Sequence, residues 1–168
     1  KFQTNEVDKL DFDDNSFDTV AISHSLHHLK DISTILTEMH RVLKPNGMFI
    51  IREVFQSPEN EKSNSQRHIH HYWAQTDQLK GVSHNETFTP DEIEEIAGQL
   101  NLRDIVTFTG PDAPAEDEQD QVYEMMLKHT EDVVIELKES CQYPELVSYG
   151  EELLDRFKDE GVTYEESL

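Results

Sequence analysis

Two short apolar runs with an amphipathic segment between them restrict the first third of this chain to very few folds. The runs are Phe17–Ser23 and residues 48–55, and both have the length and β-branched content of buried strands. The segment between them repeats apolar residues at helical spacing on one face: Ile32, Ile35, Leu36, Met39, Val42 and Leu43. A strand, a helix and a strand in this order build parallel strands joined by a right-handed crossover. The sequence therefore predicts an α/β fold.

Capping and stop signals mark the ends of further helices. Asp31 is a suitable N-cap for the first helix, and residues 45–47 (Pro-Asn-Gly) are its predicted stop. Residues 89–92 (Thr-Pro-Asp-Glu) have the pattern of a capping box with proline at the first helical position. Apolar periodicity also predicts helices near residues 121–140 and 144–160.

The regions between these helices differ in kind. Residues 103–109 (Arg-Asp-Ile-Val-Thr-Phe-Thr) predict a third strand, and residues 111–120 form a charged linker. Residues 56–88 are a long polar connection, which in a compact domain is a lid, a binding loop or a partly helical segment.

The charge of the chain excludes several classes of partner. The formal net charge is -22, from 36 acidic against 14 basic residues, and acidic residues dominate most strongly after residue 110. Phosphate backbones and anionic membranes both attract basic surfaces, so we predict no nucleic-acid and no membrane partner. Cys141 is the single cysteine, which fits a cytoplasmic protein without disulfides. The chain opens with Lys1, so we expect an N-terminus that was removed or a piece of a longer protein.

Four motifs follow one another in the first strand–helix–strand unit. They are Leu10-Asp11-Phe12, Asn15-Ser16-Phe17-Asp18, Leu26-His27-His28-Leu29 and Arg41-Val42-Leu43-Lys44-Pro45-Asn46-Gly47. In this order and spacing they resemble the middle of the class I S-adenosylmethionine-dependent methyltransferases. The resemblance implies part of a Rossmann-like sheet, namely the family's fourth, fifth and sixth strands with flanking helices. It is clear over residues 5–55 and looser over 68–110, which predicts a methyltransferase part at 1–110 and a two-helix extension packing on it at 111–168.

The glycine-rich cofactor loop of this family has no counterpart in the sequence. No two of the six glycines have the Gly-x-Gly spacing: Gly47, Gly81, Gly98, Gly110, Gly150 and Gly161. The resemblance therefore implies the C-terminal part of a methyltransferase domain, which we expect to be inactive alone. In the family's sheet the fourth strand lies beside the first, so its unpaired edge predicts completion by other residues or a homo-oligomer.

The resemblance also implies a binding site for S-adenosylmethionine. Glu6 and Val7 occupy the positions that bracket the adenine, with the Glu6 carboxylate on its exocyclic amine. Ser23 and His24, at the end of the family's fourth strand, are placed beside the methionine end of the cofactor. The alternative for Ser23 and His24 is a strand terminus whose polar groups face solvent.

Polar residues after each predicted strand supply the candidates for substrate chemistry. His28 is the candidate catalytic base, because histidine titrates near neutral pH, whereas His27 is predicted to pack under the sheet. Arg52 and Glu53 lie at the carboxyl end of the second strand, where open α/β sheets bind ligands. They either orient a polar substrate or pair with each other or with neighbouring groups.

Residues 68–73 (His-Ile-His-His-Tyr-Trp) are open to three interpretations. A substrate lid would use His71, Trp73 and His84; a metal site would use the His-x-His pair with His84; and an amphipathic cover would use none of them for chemistry. His-x-His on a helix does not point one way and no cysteine supports it, so we predict no metal.

These observations favour S-adenosylmethionine-dependent methyl transfer to a small-molecule substrate, within a larger or truncated enzyme. A non-catalytic, partner-binding module that assembles through its strand edge is the rival interpretation. A histidine-based metal-binding protein is the third.

Overall fold

The computed structural model describes residues 6–56, 65–111, 113–162 and 166–168. Its elements follow the chain as β1 (Phe17–Ser23), a 3-10 turn (Leu26–His28), α1 (Ile32–Val42), β2 (Leu43–Arg52), β3 (Val54–Phe55), α2 (Ser65–Leu79), α3 (Pro90–Gly98), β4 (Gly110–Pro111), α4 (Gln119–Ser140), α5 (Pro144–Glu160) and β5 (Glu166–Ser167).

The predicted strand–helix–strand unit is confirmed. Strands β1 and β2 pair in parallel from Thr19 opposite Met48 to Ser23 opposite Arg52, with an irregularity near Phe17. The α1 helix joins them, and the Asp31 side chain accepts a hydrogen bond from the Thr34 N–H as its cap. Both strands therefore end at the same edge of the sheet, where their carboxyl ends bring polar side chains together.

Two details of this unit differ from expectation. The first helix ends at Val42, before the predicted Pro-Asn-Gly stop, and the chain is already extended at Leu43. The residue before a proline is disfavoured in a helix. Lys44 therefore favours an extended backbone, and the helix ends short of Pro45. The strands are also not buried on both faces, since Met48 and Ile50 are 60% and 41% exposed.

The predicted third strand over residues 103–109 is wrong. A small antiparallel sheet of β3, β5 and β4 forms instead, and β4 contains only Gly110 and Pro111. Val106 and Phe108 are 77% and 80% exposed. Within the described ranges no strand pairs with residues 103–109, and an alternating pattern alone supplies no backbone partner.

The apolar core forms two clusters. The larger cluster joins α2, α4 and α5 through buried Ile69, Tyr72, Met126, Val133, Val134, Leu137, Leu153, Leu154 and Phe157. The smaller cluster, under the sheet, contains Leu26, Leu36 and Leu100 with partly buried neighbours. The two helices predicted near residues 121–140 and 144–160 are confirmed as α4 and α5. The boundary between two domains at residue 110 stays a prediction. No helix in the described residues is both long and apolar enough to cross a membrane.

Gly150 lies where α5 meets α2 and α4, and a substitution there is expected to be costly. A β-carbon would lie 2.5 Å from Val134 Cγ2 and 2.7 Å from Tyr72 Cζ, and closer still to the Tyr72 hydroxyl. We expect Gly150→Ala to lower the free energy of unfolding by about 1–3 kcal/mol because the core has no room for the methyl group. Urea unfolding followed by circular dichroism measures this change.

The matched control is Gly98→Ala at the end of α3, where an added β-carbon meets nothing within 4 Å. Alanine is the better helix former, so this variant is expected to be neutral or slightly stabilised. Equal losses of stability in the two variants would contradict the steric explanation.

Candidate functional site

A cavity of about 510 Å³ lies at the carboxyl ends of β1 and β2. The chain leaves β1 at Ser23, and His24 takes a left-handed backbone conformation with φ of 46° before the 3-10 turn. The α2 helix and the loop after it form the opposite side. The lining residues are His24, His27, His28, Val54, Gln66, His70, Trp73, Asp77, His84, Met125 and His129. Histidines dominate this wall.

Glu53 is a fully buried carboxylate beneath the cavity, in the link between β2 and β3. It accepts hydrogen bonds from the Leu26 N–H at 2.6 Å and the Val54 N–H at 3.0 Å. Its Oε1 also lies 2.9 Å from Nδ1 of buried His27. Through these three contacts the Glu53 carboxylate holds the 3-10 turn and orients the His27 ring.

His84 is held in the same manner by a carboxylate from α2. Its Nδ1 lies 2.8 Å from Asp77 Oδ2, and its carbonyl accepts a hydrogen bond from the Gln78 side chain. The next residue, Asn85, donates its backbone N–H to the His27 carbonyl at 2.8 Å. These contacts attach the loop after α2 to the turn after β1, so the His27 and His84 rings lie close together.

His70 completes the cluster from α2. Its Nε2 lies 3.1 Å from His84 Nε2, and its ring packs edge-on to His27 at a centroid distance of 4.6 Å. Burial, with smaller contributions from the neighbouring His27 and His84 rings, lowers the pKa of His70 to about 2. Burial also lowers the pKa of His28, with smaller contributions from the same two rings. Both imidazoles are therefore neutral at pH 7 and offer lone pairs.

The structure brings together some of the predicted site residues. His24, His28, Trp73 and His84 all line the cavity, and Glu53 lies directly beneath it. The Trp73 indole donates to Thr130 Oγ1 at 3.1 Å, which fixes its ring against the cavity.

Other predicted site residues lie outside the cavity wall. Glu6 and Val7 are exposed in a short turn, and Ser23 and Arg52 are exposed at the paired ends of β1 and β2. His71 contacts Thr87, whose N–H donates to its Nε2 at 3.2 Å. The roles predicted for these residues in cofactor or substrate binding stay predictions.

The sequence pattern placed His70 with His84 in the metal-site alternative, but it did not predict that His27, His70 and Asp77 lie around one cavity. A signal was present on α2, where residues 66, 70, 73 and 77 recur at helical spacing and all line the cavity. His27 carried no comparable signal, since only the folded chain places it against α2.

A second cavity, of about 620 Å³, lies at the amino end of β1. Arg41 donates there to the carbonyls of Leu10 and Phe12 and to the carboxylate of Glu38. The Arg41 guanidinium and the Leu10 N–H lower the pKa of Glu38 to about 2. These contacts anchor the loop before β1, at the opposite end of the sheet from the histidines.

The fold is that of an α/β protein with a cavity at the carboxyl ends of two parallel strands. Residues 1–51 match the protein family described as a methyltransferase domain. The chain is 32% identical over 97 residues to the uncharacterized protein YafE of Escherichia coli (strain K12), covering 57% of this chain and 43% of YafE. It is 53% identical over 47 residues to demethylmenaquinone methyltransferase of Staphylococcus epidermidis, covering 28% of this chain and 20% of that enzyme.

Among solved structures, the [4+2]-cyclase SpnF shares the fold with a TM-score of 0.55 and 15% identity. The match covers 99% of this chain and 53% of SpnF. The matches to a methyltransferase domain over residues 1–51 and to demethylmenaquinone methyltransferase confirm the resemblance to class I S-adenosylmethionine-dependent methyltransferases that the sequence predicted. The matched part spans less than half the length of these curated relatives.

Proposed function

We propose that this protein transfers a methyl group from S-adenosylmethionine to a small-molecule acceptor bound in the histidine-lined cavity. The observation that carries the proposal is the match of residues 1–51 to a methyltransferase domain, because this stretch contains β1, the 3-10 turn and nearly all of β2. Those elements end at the cavity. The similarity to demethylmenaquinone methyltransferase makes reduced quinones the first acceptors to test.

The residues around the cavity suit the methionine end of the cofactor. When bound, S-adenosylmethionine supplies an electrophilic methyl group on a positively charged sulfonium. Neutral His28, at the exposed side of the cavity, does not repel such a cation. His24 at the cavity wall would hold this end, with Ser23 at the adjoining end of β1. The role of Glu6 and Val7 at the adenine rests on the resemblance alone.

His28 is the proposed base of the reaction. Its ring stands at the cavity wall, 4.2 Å from the His84 ring centroid and 4.3 Å from that of His27, with part of its surface exposed. An acceptor that carries a proton needs a group within reach to take it as the methyl arrives. Trp73 would form an apolar wall beside the acceptor, and Arg52, exposed at the end of β2 outside the cavity wall, would orient a polar part of the acceptor that extends out of the cavity.

The test measures the S-adenosylhomocysteine that forms from S-adenosylmethionine and candidate acceptors. It uses the protein as purified from the cells that produce it, at the length found there. We expect His28→Gln to lower kcat about a hundredfold with a smaller change in KM. His40→Gln, an exposed histidine of α1, is the control and should retain full activity. Equal rates in the two variants would remove His28 from the reaction, and no product with any acceptor would refute methyl transfer.

The isolated 168 residues are assayed alongside for S-adenosylmethionine binding by calorimetry. We expect no measurable binding, because the sequence contains no Gly-x-Gly loop to approach the cofactor backbone. Tight binding by these residues alone would overturn that expectation.

A partner-binding role is the second candidate, and exposed apolar residues on the β1–β2 sheet favour it. Met48 and Ile50 are exposed there, and among the described residues β1 pairs with β2 alone. An unpaired strand edge invites another chain. Light scattering distinguishes the candidates, because a catalytically silent protein that forms a defined oligomer supports this second function.

A further inference from the structure

Three imidazole rings from separate parts of the chain converge on one point beside the cavity. His27 comes from the 3-10 turn after β1, His70 from α2 and His84 from the loop that follows α2. One ring nitrogen from each lies within 4.8 Å of the other two. His27 and His84 are 4% and 5% exposed, so this cluster is shielded from solvent.

Two of the rings are oriented from behind by carboxylates. Nδ1 of His27 is bonded to Glu53, and Nδ1 of His84 is bonded to Asp77. A carboxylate accepts a hydrogen bond from Nδ1–H, which keeps the proton on Nδ1 and leaves the lone pair on Nε2, the nitrogen on the far side of each ring. Metal-binding histidines almost always have such a carboxylate or carbonyl behind them, because it selects the tautomer and raises the basicity of the ligand.

Nε2 of His70 and Nε2 of His84 face each other within the cluster, and without a metal a hydrogen bond between them requires a proton on Nε2 of His70. These two nitrogens lie 3.1 Å apart, while Nδ1 of His70 is buried without a hydrogen-bond partner. Two ligands of a tetrahedral zinc ion, each about 2.0–2.1 Å from the metal, are separated by roughly 3.3 Å. The observed spacing is therefore close to that of two nitrogens on one metal ion.

We propose that His27, His70 and His84 bind a divalent zinc ion through their Nε2 atoms. Imidazole is a preferred ligand of zinc, and three protein ligands leave a fourth coordination position. That position would face the cavity, where water or an oxygen-bearing ligand completes the coordination. The site goes beyond the proposed methyl transfer and does not depend on it. The sequence-based prediction of no metal considered His68, His70 and His84, but not His27, which packing alone brings to α2.

The test uses the purified protein after removal of metal by a chelator. Isothermal titration with Zn²⁺ is expected to show one site per chain. Titration with Co²⁺ is expected to give the visible absorption bands of a tetrahedral cobalt site, which added Zn²⁺ then abolishes. Binding to nonspecific surface acids would give neither the bands nor the one-to-one stoichiometry, and that result would overturn the proposal.

Two pairs of variants locate the site. His70→Gln removes a ligand and should abolish the cobalt bands, whereas His68→Gln, on the same helix, should leave them unchanged. Asp77→Asn removes the carboxylate behind His84 and should weaken zinc binding about 10–100-fold. Asp77 is part-exposed, so this variant is expected to fold, and exposed Asp132→Asn is its control. Unchanged zinc affinity in both His70→Gln and Asp77→Asn would also overturn the proposal.

Discussion

Replacing Glu53 by alanine is expected to lower the free energy of unfolding by about 3–5 kcal/mol. The side chain is fully buried and accepts hydrogen bonds from the backbone of Leu26 and Val54 while contacting His27 Nδ1. Alanine leaves these buried groups without an acceptor, and each unsatisfied donor costs about 1–3 kcal/mol before any relaxation or entry of water. Urea unfolding monitored by circular dichroism measures the loss.

Two further variants show whether the carboxylate itself is responsible. Glu53→Gln keeps the shape and one acceptor oxygen, so its loss should be smaller than that of alanine. Glu94→Ala removes an exposed carboxylate from α3 and should change stability by no more than about 0.5 kcal/mol. If Glu53→Ala were as stable as Glu94→Ala, Glu53 would not be holding the turn beneath the cavity.

Phe157→Ala is expected to cost about 3–5 kcal/mol of unfolding free energy. Phe157 is 1% exposed in the core cluster of α2, α4 and α5, and its ring stacks on Tyr123 at a centroid distance of 4.9 Å. Truncation removes the buried apolar surface and leaves a cavity that the three helices fill incompletely. The same helix cluster positions α2, so the midpoint of urea unfolding should fall while the cooperativity is retained.

Phe108→Ala is the matched control, and it also tests the correction to the third strand. Phe108 belongs to the segment that sequence pattern predicted as a strand, yet it is 80% exposed. We expect a change within about 0.5 kcal/mol. A loss as large as that of Phe157→Ala would mean that Phe108 is buried, which would contradict its exposed position outside any strand.

Features that depend on near neighbours were predicted well from the residues alone. The Asp31 cap on Thr34 and the reciprocal Thr89–Glu92 capping box both form as expected. Each involves groups three residues apart, so the local backbone geometry is enough to bring them together. The parallel pairing of β1 and β2 was predictable for a related reason. A single helix that connects two strands leaves few arrangements of those strands other than a parallel pair.

Features that need a distant partner were predicted less well. Residues 103–109 have strand-like alternation, but a strand forms only where another strand can satisfy its backbone, and none among the described residues does so. The polar connection after β3 could equally have been a loop or a helix. Its apolar positions Ile69 and Tyr72 decide for a helix by packing against α4 and α5.

The sequence alone was sufficient to predict the α/β unit, the caps and the relation to methyltransferases, since all three rest on order and spacing along the chain. Tertiary structure alone assembled the histidine cluster. His27, His70 and His84 lie on three segments whose approach depends on packing of α2 and on the hydrogen bonds of Glu53, Asp77 and Asn85. Coordination and hydrogen bonding act over about 2–3 Å, and spacing along a chain does not determine distances between remote segments to that tolerance.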